Sequence, residues 1–78
     1  MESVVLYTRQ GCHLCHEAEA VLARFGIRPL LVDIDANPEL CEQYNECVPV
    51  VEIDGRERFR GRINEVLLQR LINAQGGS

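Results

Sequence analysis

The segment Ser3-Val4-Val5-Leu6-Tyr7-Thr8 is short, apolar and rich in β-branched residues, which predicts a buried strand. Arg9-Gln10-Gly11 interrupts it as a turn. The apolar repeat then changes to helical spacing. Leu14, Ala18, Val21, Leu22 and Phe25 fall on one stripe, predicting a helix from about Cys12 to Phe25 with Gly26 as its C-terminal cap. A second strand is predicted over 27–34, with Leu30, Val32 and Ile34 on one face. Two strands joined through a helix run parallel with a right-handed crossover. An all-helical or all-β fold is thereby excluded.

The remaining punctuation completes the order. Pro29 cannot donate to a ladder, so the second strand is expected at a sheet edge or with a ragged start. Asn37-Pro38 starts a short helix reaching about Asn45, with Leu40 and Tyr44 inward. Val48-Pro49 precedes a third strand, Val50 to Ile53, and Asp54-Gly55 turns it into a fourth, Arg56 to Arg60. Asn64 caps a last helix, Glu65 to Asn73, expected to bury Val66, Leu67, Leu68, Leu71 and Ile72. The order is βαβαββα: an α/β fold with a four-stranded mixed sheet and helices on both faces. Residues 1–74 form the single expected domain, and Gln75 to Ser78 a flexible tail.

Composition narrows the functions. The 78 residues are 46% hydrophobic and 26% charged, enough for one core and too apolar for disorder. The net charge of −4 gives no field to hold nucleic acid or anionic lipid by charge alone. No apolar run approaches a membrane span, and the start lacks the basic residues of a signal peptide. A cytoplasmic monomer, partnered by neither nucleic acid nor membrane, is the expectation.

Four cysteines in a short chain suggest either a disulfide framework or chemistry. Regular strands and helices need no staples, and Cys12-His13-Leu14-Cys15 has a spacing used in redox and metal chemistry. Cys12 falls where strand turns into helix, and the helix's first N–H groups stabilise a thiolate there. Cys15 lies one turn on, beside the apolar stripe, and is the more buried sulfur. An accessible thiol beside a buried one suits thiol–disulfide exchange: Cys12 attacks and Cys15 resolves the mixed disulfide. Arg9, just before the turn, is a candidate for positive charge near the sulfur.

Over nearly its whole length the chain resembles glutaredoxins and small thioredoxin-like proteins. Glutaredoxins share the element order, a strand reading like Val4-Val5-Leu6-Tyr7-Thr8, and a basic residue where Arg9 stands. They also share a Val-Pro pair like Val48-Pro49, whose proline is cis and faces the active site. The chain is most similar to uncharacterised glutaredoxin-like proteins with Gly-Cys-His-Leu-Cys, as in Gly11 to Cys15, and with elements like Asp35-Ala36-Asn37-Pro38 and Asp54-Gly55-Arg56-Glu57. The resemblance implies a thioredoxin-like fold and a thiol–disulfide oxidoreductase acting on protein or glutathione disulfides. A reductase or thiol would supply the electrons, glutathione would be a co-substrate, and no cofactor would be bound. It also implies that Val48 pairs by its backbone with substrate, that Arg9, Pro49 and Gly61 adjoin substrate, and that Cys47 faces the cysteine pair.

Three features depart from the usual glutaredoxin. His13-Leu14 replaces Pro-Tyr between the cysteines. The Gly-Gly-x-Asp-Asp element that holds the glutathione carboxylate is reduced to Gly61-Arg62-Ile63-Asn64-Glu65. The fourth strand is longer. The signature that docks small redoxins on thioredoxin reductase is absent.

Other readings remain beside this one. Cys12-His13-Leu14-Cys15-His16 matches the haem-attachment string Cys-x-x-Cys-His, although the only methionine is Met1 and aromatic residues are 5% of the chain. A zinc or iron–sulfur site drawing on Cys12, Cys15, Cys41, Cys47, His13 or His16 lacks a second pair in ligand register. A non-catalytic partner-binding module is the third alternative. His13 and His16 read as solvated residues or, when protonated, as tuning the cysteine pair, and Asp33 and Asp35 as a solvated strand face. Cys41 reads as a small buried hydrophobe beside Tyr44. Cys47 reads as a packing residue or as an auxiliary thiol able to pair with Cys12 or Cys41.

Overall fold

A computed structural model describes residues 3–44 and 48–76. Its elements are β1 (Val4–Thr8), α1 (His13–Arg24), β2 (Leu30–Asp33), a 3₁₀ turn (Ile34–Ala36), α2 (Pro38–Tyr44), β3 (Val50–Ile53), β4 (Arg56–Arg60) and α3 (Glu65–Gly76). The sheet order is β2-β1-β3-β4. β1 and β2 are parallel, while β3 lies antiparallel to both β1 and β4. The fold is the thioredoxin-like mixed sheet that the element order implies.

Two apolar clusters place the helices on opposite faces. Leu6, Ala18, Leu22, Val51, Ile53, Phe59 and Leu68 unite β1, β3 and β4 with α1 and α3. Ile34, Tyr44 and Val50, flanked by Tyr7, Leu40 and Val48, seat α2 on the other face. There the Tyr7 and Tyr44 rings lie 4.8 Å apart, and the Tyr7 hydroxyl donates to Glu52 Oε1 at 3.1 Å.

Local sequence sets the element ends. Past α1, the Ile27 N–H bonds the Leu22 carbonyl at 2.9 Å and the Gly26 N–H bonds that of Ala23 at 3.0 Å, closing the helix in a Schellman motif. Ile27 is thus used in the cap, and Pro29 lacks a donor, so β2 begins at Leu30 rather than at 27. Asn37 caps α2 through Oδ1, to the N–H groups of Glu39 and Leu40, and Asn64 caps α3 in the same way. Asp54 and Gly55 have φ of 52° and 84°, the paired positive angles that a two-residue hairpin turn requires.

Some expectations are corrected. β2 is an edge strand, and Leu30 and Leu31 on it are 66% and 49% exposed, so the expected inward face does not include Leu30. Ile34 is buried from the 3₁₀ turn, not from the strand. In α3 only Leu68, Leu71 and Ile72 face inward, at the spacing of one helical stripe. Val66 and Leu67 lie off that stripe and are 63% and 46% exposed. The helix continues through Gln75 and Gly76 into the expected tail. Cys47 and the expected end of α2 at Asn45 lie outside the described residues.

Candidate functional site

The site forms where β1 ends. Its turn is closed by the Cys12 N–H, which donates to the Arg9 carbonyl at 3.3 Å. Cys12 then holds extended backbone angles as the N-cap of α1. Its Sγ accepts the Cys15 N–H at 3.2 Å, while its carbonyl accepts the N–H of His16. The sulfur occupies the place that a serine or aspartate oxygen takes at other helix starts. Positive helix-end charge therefore converges on the one sulfur of the pair that solvent reaches.

Cys12 is half-buried; Cys15, one turn on, is 1% exposed. Burial pushes the Cys15 thiol above its ordinary range, and the neighbouring Cys12 adds to this. The Thr8 hydroxyl and the Arg9 backbone oppose it by hydrogen bonding to the sulfur. Both cysteines are free thiols in this structure.

The sheet register brings further loops alongside. Thr8 pairs with Asp33 on β2, and Tyr7 with Val50 on β3, so Pro49 falls opposite Thr8. The Val48–Pro49 peptide is cis, as the resemblance implies. Pro49 is buried, Val48 half-buried. The Pro49 carbonyl accepts the Gly61 N–H at 2.7 Å. Gly61 has φ +82°, a conformation costly for any residue with a Cβ, although open space surrounds it. The loops carrying Cys12, Pro49 and Gly61 thus hang from one row across the end of the sheet.

The Arg9 guanidinium is held by Asp35, with Nη2 to Oδ1 at 2.7 Å and Nε to Oδ2 at 3.0 Å. The pair keeps the Asp35 carboxyl below its ordinary range and the guanidinium above its own. Arg9 therefore meets the cysteine pair through its backbone, while its charge is matched by a carboxylate. Asp33 is the exposed last residue of β2, as expected, whereas Asp35 has left the strand for the 3₁₀ turn, its N–H bonded to Asp33 Oδ1 at 2.9 Å. Cys41 is half-buried, not a buried hydrophobe: its Sγ is 3.5 Å from Arg9 Nη2 and 3.7 Å from Asp35 Oδ1. Asp33-x-Asp35 after a strand is an Asx-turn signature that would have marked this cluster.

A groove of about 380 Å³ runs from Leu14 down α1, lined by Glu17, Val21, Arg24, Gly61 and Arg62. The ion pair between Arg24 and Glu65, 3.2 Å, crosses it. His13 and His16 are exposed. Among the described residues no three His, Cys, Asp or Glu side chains are grouped to hold a metal. Nor is any helix among them long and apolar enough to cross a membrane.

Residues 3–73 match the glutaredoxin-like domain family (DUF836). The chain belongs to this family. Relatives of this glutaredoxin-like domain include an uncharacterised protein of Mycobacterium tuberculosis, 32% identical over 71 residues, 80% of this chain and 73% of the relative. A solved structure from X. campestris is similar at a TM-score of 0.79 with 31% identity, covering 92% of this chain and 97% of that one. The NrdH-redoxin of Escherichia coli, a glutaredoxin-like protein with a thioredoxin-like activity profile, shares the fold. It aligns at a TM-score of 0.70 with 23% identity, over 88% of this chain and 93% of its own.

Proposed function

We propose that this glutaredoxin-like domain is a thiol–disulfide oxidoreductase with Cys12 as nucleophile and Cys15 as resolving thiol. The observation that carries the reading is the cap: Cys12 Sγ accepts a helix N–H at 3.2 Å and remains accessible, while Cys15 is 1% exposed. The Cys12 thiolate attacks one sulfur of a partner disulfide, whose other sulfur leaves with the bonding pair as thiolate. Cys15 then gives up its proton and attacks the Cys12 sulfur. The second partner thiolate is released and a Cys12–Cys15 disulfide remains, to be reduced by an external thiol or reductase.

Val48 and Pro49 are assigned the substrate backbone by their resemblance to the Val-Pro pair of glutaredoxins. The α3 start supports a protein disulfide over glutathione. The N–H groups of Val66 and Leu67 are already bonded to Asn64 Oδ1 at 3.0 and 3.2 Å, and the Glu65 carboxylate lies beside them. A glutathione carboxylate finds the N–H donors of this helix start already taken by Asn64, while the Glu65 charge beside them is matched by Arg24. The test compares the reduction of a labelled peptide disulfide with that of a glutathione mixed disulfide, in wild type, Cys12→Ser and Cys15→Ser. Exchange that survives Cys12→Ser unchanged overturns the reading. Preference for the glutathione substrate overturns only the choice of partner.

A further inference from the structure

All eight cationic residues of this acidic chain are arginines, and five of them, Arg56, Arg58, Arg60, Arg62 and Arg70, fall on the last strand, the loop after it and the last helix. The β3–β4 ladder contains a bulge. Val51 pairs with Phe59 and Glu52 with Glu57, so Arg58 is the extra residue. A bulge re-aims a side chain that strict alternation would send to the other face. Here Arg58 lines the same groove as Phe59, a cavity of about 380 Å³ between β4 and α3, completed by Leu67, Arg70, Leu71 and Ala74.

This groove has an apolar floor and two guanidiniums at its sides. Neither Arg58 nor Arg70 has an ion-pair or hydrogen-bond partner for its side chain among the described residues. The neighbouring carboxylates are engaged elsewhere, Glu57 with Arg60 at 2.8 Å and Glu65 with Arg24 at 3.2 Å. Leu67 is 46% exposed beside them. β4 is also a sheet edge. Among the described residues its outer side pairs only through the Arg60–Arg62 bridge, leaving backbone groups for an extended chain.

We propose that the groove between β4 and α3 is a docking site for an acidic segment of a partner protein. An apolar side chain of the segment packs over Phe59 and against Leu67, and flanking carboxylates pair with Arg58 and Arg70. Charge complementarity selects the occupant: an apolar groove framed by uncompensated cations favours a chain of alternating acidic and apolar residues. The position leaves the cysteine pair open. Phe59 pairs with Val51, and Val51 with Leu6, in the middle of the sheet, whereas Cys12 lies beyond its end. The surface holds a partner beside the exchange site without covering it.

The experiment titrates ¹⁵N-labelled protein with a synthetic peptide of alternating aspartate and leucine, against a lysine–leucine control. The expected result is saturable shifts confined to 58–60 and 67–74, with the acidic peptide only. Affinity falls at least about tenfold in the Arg58→Glu, Arg70→Glu double variant, which reverses both rim charges. Arg58→Gln with Arg70→Gln gives an intermediate loss and guards against misfolding of the first variant. Reduction of a small disulfide stays at the wild-type rate in both. Unchanged peptide affinity in the variants, shifts centred on Leu14 and Arg62, or absence of saturable binding overturns the proposal. So does a dimer in sedimentation that Leu67→Glu dissociates, since a second copy would then be the occupant.

Discussion

The backbone N–H of Cys15 donates to the sulfur of Cys12 at 3.2 Å. One cysteine therefore caps the helix whose first turn buries the other. The two sulfurs share a sequence motif but not an environment, and in the proposed exchange reaction that difference makes Cys12 the attacking sulfur.

Alkylation reads that difference. Iodoacetamide at neutral pH is expected to modify Cys12 at least about tenfold faster than Cys15, because burial favours the neutral thiol and blocks access. Peptide mapping of partially modified protein checks the order. Faster labelling of Cys15 reverses the assignment.

Stability should fall in alkali. The raised Cys15 value means that the fold favours the protonated thiol over its ordinary value of 9.0. That contribution is fully present below the ordinary thiol range and is lost as pH rises through the higher folded value. Tyr7 and Tyr44 are also raised, by burial first, and add a slope of the same sign above about pH 10. Urea midpoints measured below that point should decline in wild type and flatten in Cys15→Ala.

Acid has the opposite dependence at Asp35. Its hydrogen bonds from Arg9 lower it from 3.8, so its contribution is present above that value and lost as pH falls through the lower folded one. Both side chains are partly exposed, 31% and 44%, so solvent screening keeps the effect small. The acid limb of the stability profile should be shallower in Asp35→Asn than in wild type, and an identical limb would show that the pair does not hold in solution.

The last helix offers a packing test. Leu68→Ala should cost about 2–5 kcal/mol, since the side chain is fully buried and leaves a cavity. Val66→Ser, on the exposed side, should stay within about 0.5 kcal/mol. Thermal denaturation of the two variants separates them, and equal losses would place Val66 in the core.

Much of the fold is legible because its signals are local. Asn37, Asn64, Gly26 and Asp54-Gly55 each fix an element end through bonds to near neighbours, and each lies where the pattern puts it. The Cys12 cap is legible for the same reason. What the pattern does not show depends on distant partners. Whether Leu30 or Leu67 is covered depends on which element lies over it, and periodicity cannot count elements. Arg9 meets Asp35 across 26 positions, and only the parallel pairing of β1 with β2 brings them together. Arg58 looks like an ordinary strand residue until its partner strand proves one residue shorter.

That surplus residue has a further meaning. Without Arg58 the ladder would run regularly, with Glu57 and Phe59 still opposite Glu52 and Val51. The hairpin turn and the core face would keep their register. A single-residue deletion at 58 is therefore expected to keep the sheet's register while removing one cation from the groove. Backbone pairing and surface chemistry, usually inseparable in a strand, come apart at this position.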